Sequence, residues 1–193
     1  MPTIYANTND GIIFNSNQSS HAAARDATDG ITVTTSGQSH TYQPYKRSPG
    51  RGGGTVYAVN RFFWYFDTSG ITGTVSSATF NLRRGITTWN PTTILVKSNA
   101  FGGDGQTALA KADFDAFPGF SAGNTMDGNV TVYSGDIAAA TFDVSNGYAS
   151  TGISLNSTAL SDMASNDYLI FALVDKTNDF LNSDPGINVG PNV

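Results

Sequence analysis

The most strongly hydrophobic stretch of the chain lies between Arg61 and Leu82. It opens with five consecutive aromatic residues, Phe62–Phe66. A run of this length is too short to cross a membrane and too aromatic to favour a helix, so it predicts a strand buried on both faces. Because alternate side chains of a strand point to opposite faces, we expect Phe62, Trp64 and Phe66 on one face and Phe63 and Tyr65 on the other.

A second strand is predicted directly after this one. Residues 69–74 contain Gly70 and Gly73, which give the backbone the freedom to turn. We expect the Asp67 side chain to organise that turn by accepting hydrogen bonds from it. Positions 75–82 then alternate, with Ala78, Phe80 and Leu82 predicted to face inward and Ser77, Thr79 and Asn81 outward.

Shorter apolar runs predict the other strands. Tyr168–Asp175 is a second continuous hydrophobic run and predicts another fully buried strand. A first hairpin is predicted where the Asn9-Asp10-Gly11 turn precedes Ile12. The remaining strands are predicted at Ile31–Thr35 (with Ile31, Val33 and Thr35 on the buried face), Thr92–Ser98, Val130–Tyr133 and 138–144. Seven to nine short strands in one chain of this length are typical of an antiparallel sandwich.

Three short segments have helical character. A single turn is predicted within Ser19–Ala27, capped by Ser19 or Ser20. The segment Thr107–Phe117 predicts a longer helix, which Thr107 caps and Pro118-Gly119 ends. A brief helix is predicted at 159–164, after Asn156. In the longer helix Leu109, Ala112 and Phe117 are expected to share the buried face.

Residues 1–193 are predicted to form one domain, since all-β domains of this size commonly stay undivided. Residues 1–30 are interpreted as an extended N-terminal segment and residues 36–55 as a long loop. The Gly-rich run at 50–54 lacks the Lys-Ser/Thr and the helix that a phosphate-binding loop requires. The fold class predicted is all-β, an antiparallel jelly-roll-like β-sandwich with one or two short helices.

Composition supports this class and excludes several functions. The 15 acidic residues are all Asp, a poor helix former, and 21 Gly residues favour turns. A net charge of −5 opposes nucleic-acid binding, and the absence of Cys excludes disulfides and thiolate zinc sites. The first residues lack the basic and apolar regions of a signal peptide, so synthesis in a cytoplasm is expected, with no membrane partner.

Two segments resemble a known signature. The first, residues 61–71 followed by 75–82, reads RFFWYFDTSGI and VSSATFNL. The second reads ISLNSTAL from Ile153, followed by Phe171-Ala-Leu, Asp179 and Pro185. Together they are similar to the signature of DNRLRE-type and related jelly-roll β-sandwich domains, in the same order and about 80 residues apart, and they frame most of the fold.

The resemblance is strongest to structural proteins of tailed-phage virions. It rests on the sequence FDTSGI and on the early Ala-Ala-Arg-Asp-Ala element. It implies a non-enzymatic virion protein, first a capsid decoration or cement protein that binds the major capsid protein, and next a tail- or fibre-associated adhesion protein. A homo-oligomer, such as a trimer, is the expected assembly. Such domains continue past the equivalent of Pro185 with a further strand, so here that strand is either missing or paired by a neighbouring subunit.

Catalysis has little support in the residues. His21 and His40 lie in Ser-rich polar surroundings without a nucleophile nearby, and are interpreted as exposed or hydrogen-bonded loop residues. No G-x-S-x-G nucleophile motif occurs. Asp113 and Asp115 are the carboxylate pair considered for glycoside hydrolysis, but they flank Phe114 in the predicted surface helix. No catalytic residue is therefore assigned.

Two sites of other kinds remain open. Asp179 and Asp184, with Asn178 and Asn182, offer oxygen ligands for calcium in a flexible loop, although the same residues also form ordinary turns. No other cofactor is expected. Trp89 and the basic pair Arg83-Arg84 are the candidates for a ligand or interface site, whereas Trp64 is expected in the core. A carbohydrate-binding β-sandwich module is the alternative function, because aromatic side chains provide stacking platforms for sugars.

Overall fold

The computed structural model describes residues 3–35, 45–47, 54–82, 91–138 and 152–185. Strands and turns dominate these residues, with two short α-helices. The strands are β1 (Gly11–Gln18), β2 (Thr32–Thr34), β3 (Tyr45–Arg47), β4 (Val56–Asp67), β5 (Thr79–Phe80), β6 (Thr93–Lys97), β7 (Ile153–Ser154) and β8 (Tyr168–Asp175), and the helices are α1 (His21–Arg25) and α2 (Ser157–Asn166).

The aromatic strand β4 lies at the centre of the main antiparallel sheet, whose order is β2-β1-β4-β8-β6. One edge of β4 pairs with β1 and the other with β8, so that Trp64 lies opposite Phe171. The three-residue strand β3 pairs with the start of β4, inside the stretch predicted as a long loop. Strands β5 and β7 form a second, two-stranded sheet. The prediction of a mostly antiparallel β fold with few helices is confirmed.

Both faces of the main sheet are buried, as the continuous apolar runs predict. On one face Trp64, with Phe62 and Phe66 beside it, belongs to a core that also contains Phe80 of β5 and Met163 of α2. We call this the small-sheet-side core. On the other face Phe63 and Tyr65 border a core formed with the segment 98–130. We call this the loop-side core; its members from that segment are Ala100, Phe101, Leu109, Phe114, Phe117, Met126 and Val130.

We call the segment 98–130, which packs over this core, the loop-side cover. It does not contain the helix predicted at Thr107–Phe117. Only a single 3₁₀ turn forms there, at Lys111–Asp113, and Ala112 is exposed instead of buried. Asp113 accepts a hydrogen bond from the N–H of Ala110, so its side chain competes with helical bonding. The helix prediction is wrong because the apolar side chains Leu109, Phe114 and Phe117 pack into the core at spacings set by the sheet rather than by a helix.

The two other helical predictions are confirmed, the first with its predicted cap at Ser20, and the second helix is capped by the Asn156 that precedes it. Ser20 caps α1, accepting a hydrogen bond from the N–H of Ala23 at 3.0 Å. Asn156 caps α2 in the same way, through the N–H of Ala159 at 3.1 Å. Both caps satisfy N–H groups that have no partner within the helix.

Three strand predictions need correction. The expected first hairpin does not form, because β1 pairs with β2 and β4 and residues 3–7 are not in a strand. Ile31 is 44% exposed, since β2 begins after it. Val130–Tyr133 makes an isolated bridge, Val132 to Val96, instead of a regular strand. The predicted strand at 138–144 lies almost entirely outside the described residues.

A pair of glycines in the loop-side cover allows a matched test of this packing. Gly119 and Gly123 both have a positive φ, +90° and +83°. A Cβ at Gly119 would lie 2.1 Å from the carbonyl oxygen of Asn129, whereas a Cβ at Gly123 would contact nothing within 4 Å. Both Ala substitutions therefore strain the backbone, but only one also forces two backbone segments apart.

We expect Gly123→Ala to lower the free energy of unfolding by about 1 kcal/mol and Gly119→Ala to lower it by about 2–4 kcal/mol. Urea unfolding followed by tryptophan fluorescence measures both. Equal losses for the two variants would show that segment 118–130 is not held closely against itself.

Candidate functional site

The most strongly interacting polar group in the described structure is a fully buried ion pair between Arg61 and Asp179. Arg61 lies on β4, on the face of the loop-side core, and Asp179 lies in the π-helical turn Lys176–Phe180. Nη2 and Nε of Arg61 donate to the two carboxylate oxygens of Asp179, at 2.7 and 2.8 Å. Neither side chain has any exposed surface. This fork-to-fork geometry is the strongest form of an Arg–carboxylate pair.

Arg61 also ties two further segments to the pair. Its Nη1 donates to the carbonyl oxygen of Phe114 at 2.7 Å, and its Nη2 donates to the carbonyl oxygen of Arg25 at 2.9 Å. In an α-helix the carbonyl of Phe114 would accept a hydrogen bond from the N–H of residue 118. That residue is Pro118, which has no N–H, so the carbonyl can accept from Arg61 instead. One guanidinium therefore joins β4, α1, the loop-side cover and the π-helical turn.

A second buried guanidinium, Arg25, completes the charged cluster. Its Nε donates to the carbonyl oxygen of Asp179 at 2.6 Å, and its Nη1 pairs with Asp26. Nη2 of Arg25 is buried and has no hydrogen-bond partner among the described residues. The cluster thus contains two cations and two carboxylates, which balances its formal charge.

Aromatic rings shield the cluster from solvent. The guanidinium carbon of Arg61 lies 4.2 Å from the ring centroid of Phe114, 5.1 Å from that of Phe117 and 5.3 Å from that of Phe120. Arg25 lies 5.2 Å from the Phe120 ring. Cation–π attraction is larger where water is excluded, so the rings favour burial of the charges as well as enclosing them.

Two titratable groups border the cluster. Asp175 precedes the π-helical turn and accepts a hydrogen bond from the N–H of Asn178. Burial raises the pKa of Asp175 to about 6, against the opposing effect of that hydrogen bond. Nε2 of His21 lies 2.9 Å from the carbonyl oxygen of Asn178, and burial lowers the pKa of His21. His21 is thus a buried, hydrogen-bonded residue at the start of α1.

A second cluster of polar side chains lies on the opposite face of the main sheet, beside the small-sheet-side core. The hydroxyl of Tyr133 donates to Oδ2 of Asp162 on α2, and Nζ of Lys97 lies 2.9 Å from the same oxygen. Burial and the hydrogen bond to Asp162 raise the pKa of Tyr133, so the phenol stays protonated. This arrangement joins α2 to the edge strand β6 and holds Tyr133 as a hydrogen-bond donor.

A small cleft of about 230 Å³ lies near the small sheet. It is lined by residues 134–137 on one side and residues 152–154 on the other. Ser134 uses its hydroxyl inside the protein, accepting from the N–H of Leu95 and donating to the carbonyl of Gly135. Asp136 pairs with Lys176. Ser134 and Asp136 are therefore already engaged in contacts within the chain.

The predicted metal-binding residues each have other contacts. Asp179 is the buried partner of Arg61, and Asp184 pairs with Lys46 at 3.0 Å on the surface. The side-chain amide of Asn178 donates to the carbonyl of Ser183, and that of Asn182 to the carbonyl of Gly123. Within the described ranges no group of three or more His or Asp residues is arranged to hold a metal ion. Calcium in this loop stays a prediction based on residue types.

Other predicted residues are placed as follows. Trp64 packs against Phe80 and Phe171 in the small-sheet-side core, as expected. Asp67 accepts from the N–H and hydroxyl of Ser69, which confirms its predicted role in the turn. Asp113 bonds to backbone N–H groups of the loop-side cover. The interface candidates Trp89, Arg83 and Arg84, together with His40, lie outside the described residues.

Sequence reasoning did not identify the charged cluster, although one signal for it exists. Alternation along β4 places Arg61 on the same face as Phe63, which is a core face. A charge at such a position requires an opposite charge or several hydrogen bonds. The partner, however, lies 118 residues further along the chain, and no local pattern specifies it.

Comparison with known proteins gives no relationship: no protein-family model, no curated protein and no solved structure matches the chain. In the portion of the chain that the structure describes, no helix is long and apolar enough to cross a membrane.

The buried pair predicts unequal effects for two neighbouring Asp→Asn substitutions. Asp179→Asn leaves Arg61 buried without its counter-charge, and we expect the free energy of unfolding to fall by about 3–5 kcal/mol. Asp184→Asn, the matched control, breaks the exposed pair with Lys46 and should cost less than about 1 kcal/mol. Urea denaturation at pH 7 gives both values, and a small effect of Asp179→Asn would contradict the central role of the pair.

Asp175 predicts a defined pH dependence of stability. The folded chain keeps the Asp175 proton up to about pH 6, whereas an unperturbed Asp loses it near 3.8. The associated stability is therefore fully present below about pH 4 and is lost as the pH rises through about 6. We expect Asp175→Asn to match the wild type at pH 4 and to exceed its free energy of unfolding by on the order of 3 kcal/mol at pH 7.5.

Thermal unfolding between pH 4 and pH 8 tests this expectation. Asp127→Asn, at an exposed carboxyl, is the control and should leave the wild-type profile unchanged. Parallel profiles for the wild type and Asp175→Asn would show that Asp175 does not hold its proton in the fold.

Proposed function

We propose that the protein is a non-enzymatic structural component of a phage virion, a decoration or cement protein that stabilises the head by binding the major capsid protein. The domain type that we propose for it is the DNRLRE-type jelly-roll β-sandwich. The carrying observation is that the two signature segments meet in space. Arg61 of the first segment forms its ion pair with Asp179 of the second.

Further contacts join the same two segments. Thr79–Phe80 from the first pairs with Ile153–Ser154 from the second, and Trp64 packs against Phe171. The residues that carry the resemblance therefore form one structural unit, in which strand pairing, aromatic packing and the ion pair all link its two halves. This supports a common architecture as the basis of the resemblance.

A cement protein acts by rigid contact, and the described surface suits that role. The exposed loop 121–129 is rich in Ser, Asn, Thr and Gly. It is fixed at Gly123, whose N–H donates to Asp26 and whose carbonyl accepts from Asn182. A polar loop held in place loses little entropy when it binds a partner, and polar surfaces suit the hydrated interfaces of large assemblies.

Heat treatment of virions tests the proposal. Particles of the phage that encodes the chain should contain the protein by mass spectrometry, and particles that lack it should release DNA at a lower temperature. Adding purified protein should restore stability in a concentration-dependent way, since a ligand at about 100 times its Kd contributes about 2.7 kcal/mol per site. An unrelated acidic protein at the same concentration is the control.

Two results would contradict the virion assignment. One is the absence of the protein from purified particles. The other is specific binding on a glycan array without any protection of capsids, which would favour the carbohydrate-binding alternative instead.

A further inference from the structure

Residues 3–10 lie along β4 beyond the point where β1 stops pairing with it. The β1 ladder ends at Gly11, opposite Phe63, but β4 continues to Asp67. At this end the N–H of Asn7 donates to the carbonyl of Tyr65 at 3.0 Å. The N–H of Tyr65 donates to Oδ1 of Asp10 at 3.0 Å. We call residues 3–10 the strap, since they cover this part of the β4 edge without forming a strand.

The strap is held by few contacts. Ala6 packs against the small-sheet-side core, whereas Tyr5 is 85% exposed. A turn in which the N–H of Asp10 donates to the carbonyl of Asn7 joins the strap to β1. Segments with little buried apolar surface open locally at low free energy while the rest of the fold stays intact.

The Asp10 carboxyl lies half-buried at the hinge of the strap, next to Gly11, which packs closely against Thr34 and Leu109. Burial raises the pKa of Asp10 to about 7, and the hydrogen bond from the N–H of Tyr65 opposes this only partly. A carboxylate in this position has one backbone N–H and no cation to compensate its charge among the interactions of the described residues.

Burial and the hydrogen bond from Tyr65 determine the pKa of Asp10, and no neighbouring charge in the described structure contributes to it. The Tyr65 phenol also has a raised pKa, first through burial and then through Asp67 at the end of β4, Asp104 in the turn that packs on Tyr65, and Tyr168 on β8. Lys111, which follows Leu109, is an exposed residue. No group facing the hinge in this part of the structure therefore stabilises an ionised Asp10.

We propose that the strap is a pH-sensitive latch, closed in acid and released from the β4 edge as the pH rises to neutrality, with Asp10 as the titrating group. In the open strap Asp10 is hydrated and has an ordinary carboxyl pKa, so the closed form binds the extra proton. Opening therefore becomes easier between about pH 4 and pH 7 and is constant above that. The released edge exposes the N–H and carbonyl of Tyr65, a place where another extended segment can pair. This inference is independent of the proposed virion role.

Hydrogen exchange of the two amides that join the strap to β4 tests the latch. The protection factors of Asn7 and Tyr65, corrected for the intrinsic pH dependence of exchange, should fall on the order of a hundredfold between pH 4.5 and pH 7.5 in the wild type. In Asp10→Asn, whose side chain still accepts from Tyr65 but cannot ionise, they should not change with pH. Asp29→Asn, at an exposed carboxyl, should behave as the wild type.

The amide of Ile137, bonded to the carbonyl of Thr93 at the far edge of the sheet, reports opening that is not specific to the strap. A larger fall at Asn7 and Tyr65 than at Ile137, abolished by Asp10→Asn, supports the latch. Constant protection in the wild type, the same fall at all three amides, or the same fall in Asp10→Asn would overturn it.

Discussion

The ion pair between Arg61 and Asp179 is the constraint on which the arrangement of the loop-side core depends. A single guanidinium satisfies four acceptors that come from the π-helical turn, α1 and the loop-side cover. None of these segments has enough regular secondary structure to fix its own position. Their common attachment to the central strand therefore determines where the irregular cover lies. It also determines where the Phe114 and Phe117 rings pack.

Burial of these charges has a thermodynamic cost that the surrounding groups must offset. Moving two ions out of water costs several kcal/mol per ion, and a hydrophobic pair of similar size is often as stable. Here Arg61 keeps every one of its donor nitrogens hydrogen-bonded, and aromatic rings lie close to its guanidinium. The pair selects one arrangement of the loops, because any other leaves a buried charge without its partner. That selectivity matters most for a face covered by loops.

How far the sequence predicts this structure depends on the range of each interaction. The alternation of Phe62–Phe66, the buried strand Tyr168–Asp175, the cap at Ser20 and the short helix after Asn156 are local features, and each was predictable because it depends on residues a few positions apart. The helix expected at Thr107–Phe117 fails for the opposite reason. Helix propensity is a weak constraint, and contacts with residues distant in sequence override it here.

The candidate site follows the same rule. Residue types identify Asp179 as a notable acid, but only the fold supplies its guanidinium partner, and the raised pKa of Asp10 depends on burial at a strand end. Three carboxyls of the described structure, buried at Asp175 and Asp179 and half-buried at Asp10, differ in the charge available nearby. Asp179 has a guanidinium and serves as an ion-pair partner, whereas Asp175 and Asp10 have only backbone N–H groups, and burial raises their pKa above that of an ordinary Asp. The fold therefore uses Asp as an ion-pair partner where a cation is present. Where no cation is present, it uses Asp as a hydrogen-bond acceptor whose protonation depends on pH.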